Sequence, residues 1–142
     1  MCLNNWGGID HKVLEFHEYV NLFSGKSGSG KTTLAQSIRE VFNDEIVILC
    51  HDYYYKSNEG ISFEERKKLN YDHPDSFDTD LLIEQLRQLK KGNLIHHPVY
   101  SFVEHTRLAE TVEIKPAKVI IVEGILIFEN KELCNLMDIK VF

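Results

Sequence analysis

What this chain has little of narrows the field before any motif is considered. Cysteine is scarce: Cys2, Cys50 and Cys134 are odd in number and share no C-x-x-C spacing. That argues against a disulfide framework or a structural zinc site and points to a reducing compartment. Basic residues fall short of acidic ones, 16 against 22, for a net charge of −6, so no global positive field is available to hold DNA or RNA. Long apolar runs are missing as well. The longest, 119–128, is interrupted by Glu123 and is too short to cross a bilayer, and no charged-then-apolar leader opens the chain. A soluble, cytoplasmic protein with neither nucleic-acid nor membrane partners is expected. Repeats and low-complexity segments are absent, and 142 residues at 43% hydrophobic content allow one sizeable core but not two ordinary domains.

What is present begins with Gly25-Lys26-Ser27-Gly28-Ser29-Gly30-Lys31-Thr32, which fits G-x-x-x-x-G-K-[ST] without a mismatch. Glycines let successive N–H groups turn into one concavity that cradles phosphate oxygens. Lys31 reaches the β- and γ-phosphates, and Thr32 offers a hydroxyl to Mg²⁺. The following helix, with Thr33 at its start, adds the positive end of its dipole. Context agrees with the pattern: residues 19–23 (YVNLF) read as a strand, and 33–42 place Leu34, Ile38, Val41 and Phe42 on one helical face.

The runs at 45–50 (EIVILC) and 119–122 (VIIV) are short, continuous and β-branched, as in strands buried on both faces of a parallel sheet. Each ends at acid: His51-Asp52 after the first, Glu123-Gly124 after the second. In an open α/β sheet ligands sit beyond the carboxyl ends of the strands, so both acids fall on the active edge. Ser62 and Glu65 form a capping box for a short helix ending near Leu69, and the Pro- and Asp-rich stretch 70–78 reads as an ordered loop. Asp78 or Thr79 caps a helix through Lys91, with Leu82, Leu86 and Leu89 on one stripe and Gly92 as its stop. Residues 95–100 and 111–114 suggest two edge strands or a hairpin outside the main sheet. A helix is expected over 130–137 and a strand over 138–142. Residues 1–18 show no periodicity, and Gly7-Gly8 interrupts any regular element; they read as an extension of unknown role.

In order, Asp52-Tyr53-Tyr54-Tyr55, Tyr71-Asp72-His73-Pro74-Asp75-Ser76-Phe77-Asp78, Pro98-Val99-Tyr100 with His105-Thr106-Arg107, and Val122-Glu123-Gly124-Ile125-Leu126 join the phosphate loop. The set resembles the uridine-cytidine kinase family of phosphate-loop kinases from about residue 24 to residue 142. The resemblance implies an α/β P-loop NTPase fold: a parallel sheet flanked by helices, with a small β-hairpin substrate region and the kinase domain over 19–142. It implies transfer of the γ-phosphate of ATP or GTP, with Mg²⁺, to the 5′-hydroxyl of uridine or cytidine, a step of pyrimidine salvage. It further implies that Asp52 is the catalytic carboxylate working with Lys31, and that Gly25 through Thr33 hold the nucleotide. Asp72 holds the ribose hydroxyls, and Tyr100 and His105 read the base. Tyr55, Tyr71 and Phe102 wall the same pocket, and Thr32, Asp52 and Glu123 surround the metal. His96 and His97 match nothing in the family and read as surface residues. Family members often assemble into homo-oligomers.

Some positions depart from the family pattern. Lys26 replaces a second glycine, and Ser101 replaces an acid after Tyr100. The family continues past residue 142 with an arginine-rich lid and a last strand, so this chain reads as truncated, with 139–142 as an edge segment. One arginine aimed at the transferring phosphoryl group is worth about 10³–10⁵ in rate, so slow or absent turnover is expected. Two rivals stay open: a related kinase with another acceptor, phosphoribulokinase-like or pantothenate kinase-like, and a lidless, non-catalytic nucleotide-binding fragment. Tyr100 and His105 discriminate among the kinases, because only a base-reading pocket needs both.

Overall fold

The computed structural model describes residues 2–6, 9–13, 20–24 and 46–141, with side chains over 46–140. The phosphate-loop residues Gly25 through Thr33 and the helix expected over 33–42 lie outside the described residues. Among those described, the elements run β1 (Cys2–Trp6), β2 (Ile9–Val13), β3 (Val20–Ser24), β4 (Ile46–Cys50), α1 (Phe63–Arg66), α2 (Thr79–Lys90), β5 (Ile95–Ser101), β6 (Thr106–Ile114), β7 (Val119–Gly124), α3 (Lys131–Asn135) and β8 (Ile139–Val141). Two 3₁₀ turns, His51–Tyr54 and Pro74–Ser76, interrupt the connections.

The two β-branched runs become the strands expected of them. β4, β7, β3 and β8 lie in that order in one four-stranded sheet, and each neighbouring pair is parallel. β7 sits between two partners, which is why Ile120, Ile121 and Val122 are all buried: neither face of a central parallel strand meets water. Tyr54 and Leu49 pack into the core with Ile120, Val122, Ile127, Leu133 and the α2 stripe Leu82, Leu86 and Leu89. Full burial of each such side chain contributes roughly 1.5–3 kcal/mol.

Local signals set the ends of α2. Asp78 is the N-cap, its carboxylate accepting from Leu81 N at 3.3 Å, and Gly92 takes φ +83°, the left-handed stop. The capping box of Ser62 and Glu65 is present, though α1 ends at Arg66, short of Leu69. Likewise α3 spans Lys131–Asn135 rather than 130–137, capped by Asn130.

β5 and β6 form their own antiparallel hairpin, from Ile95 opposite Ile114 to Ser101 opposite Thr106. Its register shifts between Pro98 and Tyr100, where proline has no N–H to give to the ladder. That local geometry corrects one expectation: His97 is buried at 7% exposure, not a surface residue. Its Nδ1 lies 2.8 Å from the Pro98 carbonyl, so that nitrogen carries the proton. His96 does point outward. A second correction concerns the N-terminal extension: β1 and β2 pair antiparallel, Cys2 opposite Val13 and Trp6 opposite Ile9, leaving Gly7-Gly8 between them.

Candidate functional site

Strand register gathers the candidate rim. Phe23 and Cys50 both stand opposite Glu123, and Ser24 stands opposite Gly124. The chain therefore leaves the sheet at neighbouring points on one edge: from β3 toward Gly25, from β4 into His51-Asp52, and from β7 past Glu123. The Cys50 thiol is close enough to feel both acids. Burial, then Glu123 and Asp52, holds that thiol far above its ordinary range. Glu123 itself is buried. Asp52 and Glu123, at the ends of neighbouring strands, offer the hard carboxylate oxygens that suit Mg²⁺, which takes few carboxylates and fills its shell with water and phosphate oxygens. Among the described residues no group of three His, Cys, Asp or Glu converges on a metal position, and Thr32 is outside them.

The turn after β4 is fixed on every side. His51 is 2% exposed and stacks on Phe77 at 4.0 Å; burial depresses its pKa to about 4. Gly124 makes room for it, since a Cβ there would stand 2.5 Å from His51 Cβ and 2.9 Å from Ile127 Cγ2. Tyr53 stacks on His97 at 4.6 Å, and the buried Tyr54 hydroxyl donates to Gln85 Oε1 at 2.7 Å.

Beyond that turn the expected aromatic residues do come together. Tyr55 stacks on Phe77 at 4.2 Å and meets Tyr100 at 4.9 Å, Tyr71 edge-on at 5.5 Å and Phe102 at 6.4 Å. Tyr71 stacks in turn on the His105 ring at 5.4 Å. Burial, and then the Asp52 and Asp72 carboxylates, push the Tyr55 phenol up to about 12; both candidate acids thus act on one ring. Asp72 is exposed, its N–H held by Asn70 Oδ1 at 3.1 Å. Phe102 is 61% exposed, at the open side of the group. Tyr100 Oη is buried and makes no well-formed hydrogen bond to a described residue, although the Tyr71 side chain lies close enough to interact with it and, after burial, raises its pKa. A separate cleft of about 320 Å³ shares Tyr71 with this group, but Asp52, Asp72 and Tyr100 do not line it.

Sequence reasoning gave no role to three residues that hold this arrangement. Arg107 donates to the carbonyls of Tyr55 and Tyr54, at 2.5 and 3.1 Å, and to Asp78 Oδ2 at 3.1 Å. Asn58 donates through its side chain to the His105 carbonyl at 3.2 Å, and Arg66 to the Glu104 carbonyl at 3.2 Å. Most of their acceptors are main-chain oxygens, which no side-chain pattern announces; the one available signal was Arg107 itself, inside the His105-Thr106-Arg107 motif.

Comparison with known proteins follows the same lines. The sequence profile of the Phosphoribulokinase / Uridine kinase family matches residues 22–142. A uridine kinase of Clostridium novyi is 52% identical over 84% of this chain and 58% of its own length. One of Chlamydia pneumoniae is 49% identical over 84% of this chain and 54% of its own. The chain thus spans a little over half the length of the curated relatives it matches. A solved structure from Bacillus stearothermophilus, described as a possible uridine kinase, superposes with a TM-score of 0.64 at 24% identity, over 90% of this chain and 71% of that one. That likeness shows the fold, a P-loop kinase sheet. No helix among the described residues is long and apolar enough to cross a membrane.

Proposed function

The chain belongs to the phosphoribulokinase / uridine kinase family, and from that premise we propose that it carries the phosphate loop, catalytic acid and base pocket of a uridine or cytidine kinase. The observation that carries the reading is the Tyr100 hydroxyl: buried, with no well-formed hydrogen bond to a described residue and only the Tyr71 side chain beside it, and set in a group of flat rings. A buried phenol left unmatched costs free energy, and a flat ligand with polar edges relieves that cost while stacking on the rings. A pyrimidine base has this shape. His105 supplies the second edge contact, while Tyr55, Tyr71 and Phe102 form the walls.

Asp72, exposed in the free chain, accepts from the ribose hydroxyls; ribose is favoured over deoxyribose because the bound sugar covers the carboxylate, and a missing hydroxyl then leaves it unpaired. Asp52 lies on the sheet rim where the phosphate loop begins. It takes the proton of the 5′-hydroxyl as that oxygen bonds to the γ-phosphorus and the bond to the β–γ bridging oxygen breaks, releasing the nucleoside diphosphate and the 5′-monophosphate. Gly25 through Thr33, with Lys31, hold the phosphates of ATP or GTP. Thr32, Asp52 and Glu123 would hold Mg²⁺, which supplies charge neutralisation when bound.

A product assay tests this. The 142-residue chain is given Mg²⁺-ATP with uridine or cytidine and scored for the 5′-monophosphate, with Asp52→Asn beside it. Monophosphate that falls about 10²–10⁴-fold in the variant supports the assignment. Failure to bind either nucleoside by calorimetry, with no product, overturns it.

A further inference from the structure

His105 is a non-glycine residue with positive φ, at +53°. It occupies the turn between β5 and β6, where Ser101 and Thr106 close the ladder. Left-handed backbone is uncommon outside glycine, and a residue stays there only where its surroundings over-determine it. The surroundings here are identifiable and come from one segment. Asn58 N donates to Thr106 Oγ1 at 3.1 Å, and Asn58 Nδ2 donates to the His105 carbonyl at 3.2 Å. Arg66 Nη1 donates to the Glu104 carbonyl at 3.2 Å, while its Nε donates to the carbonyls of Asn58 at 2.9 Å and Ile61 at 3.1 Å. Three consecutive residues, Glu104 and His105 of the turn and Thr106 at the start of β6, are therefore tied to one segment, 58–66, whose own shape is set by the same guanidinium.

The segment also reaches the ring on which His105 stacks. Asn58 Nδ2 lies 3.4 Å from Tyr71 Oη, and that hydroxyl donates to the Arg66 carbonyl at 3.0 Å. Asn58 and Arg66 thus bond to the backbone at His105 and to the partner of its imidazole. We propose that Arg66 and Asn58 form a latch that sets base recognition by holding His105 in its left-handed turn against Tyr71. They are positioning residues, acting through His105 and not on the ligand. The inference rests on the reading that His105 contacts the base. Without the tethers the strained residue relaxes, and the imidazole leaves the ring it stacks on.

The experiment is a double-mutant cycle on uridine affinity, measured calorimetrically with Arg66→Gln, His105→Ala and the pair. No side chain of α1 is buried, so Arg66→Gln leaves the core intact, and a cooperative thermal melt confirms it; Asn58→Ala provides a second, milder break. Arg66→Gln is expected to weaken uridine binding about tenfold and Asn58→Ala about threefold. Both losses should vanish in the His105→Ala background, since an effect transmitted through His105 cannot outlast it. Losses of full size in that background overturn the latch, as does an unchanged affinity in Arg66→Gln when His105→Ala costs affinity. If His105→Ala costs nothing, or the unaltered chain does not bind uridine, the base-reading assignment is itself wrong and the latch falls with it.

Discussion

Tyr100 and Arg107 stand opposite one another across the β5–β6 ladder. Tyr100 joins the Tyr55–Phe77 aromatic group, while Arg107 grips the main chain of the Asp52-bearing turn at Tyr54 and Tyr55. One cross-strand pair thus ties the hairpin to both the rings and the turn. Arg107→Met should take the guanidinium from three acceptors: the Tyr55 carbonyl, the Tyr54 carbonyl, which keeps the Asp78 N–H at 2.7 Å, and Asp78, which keeps the Leu81 N–H. A loss of about 2–3 kcal/mol in denaturant titration is expected, discounted because Asp78 is about a third exposed. Arg107→Lys should recover less than half of it, because an ammonium cannot serve all three acceptors in the guanidinium's geometry.

Gly124→Ala tests the packing at the rim. The new methyl would collide with His51 Cβ at 2.5 Å, between packed elements with little freedom to retreat. A loss of about 1–3 kcal/mol is expected from overpacking, read as a lowered midpoint in denaturant titration. Gly60→Ala is the control. Nothing lies within 4 Å of a Cβ there, so its melting temperature should stay close to that of the unaltered chain.

Acid should weaken the fold through His51. The unfolded chain takes up a proton near the ordinary pKa of 6.5, while the folded chain resists until about 4. The contribution is therefore complete above 6.5 and is lost as pH falls from 6.5 toward 4, by at most ~3 kcal/mol. Replacing His51 with Phe, which preserves the stack on Phe77, should flatten the stability-versus-pH curve across that window. An equally steep curve in the variant would show that other groups carry the acid limb.

Cys50 should be a poor nucleophile. Burial and the neighbouring acids keep its thiol protonated at neutral pH, and only the thiolate reacts. Peptide mapping after iodoacetamide at pH 7.5 should find Cys50 unmodified in the folded chain and modified in denaturant. Because the folded thiol holds its proton more tightly than the unfolded one, this group's contribution is present below the ordinary value of 9.0 and fades above it.

Elements whose residues speak for themselves were legible in the sequence. The β-branched runs of β4 and β7, the leucine stripe of α2 with Asp78 and Gly92 at its ends, and the Ser62–Glu65 box each carry a local cause, and each appears where that cause puts it. The aromatic residues of the candidate pocket came from motif order, and the structure does bring them together. Other features depended on partners far along the chain. The burial of His97 follows from the strand's alternation and the shift at Pro98, neither visible in a His-His-Pro string. The β1–β2 pair left no periodic trace, because Gly7-Gly8 read as a break although strands lie on both sides of it. Arg66, Asn58 and Arg107 act largely on carbonyl oxygens, and every residue has one.

The ladder has a consequence for how the chain is made. β3, which precedes the phosphate-loop sequence, pairs among the described residues with β7 and β8, and Ser24 and its partner Gly124 are 100 residues apart in sequence. At about 5–20 residues per second of synthesis, β3 emerges many seconds before either partner exists. During translation β3 is therefore the first strand of this sheet to be made and among the last to be locked, because it waits for β7.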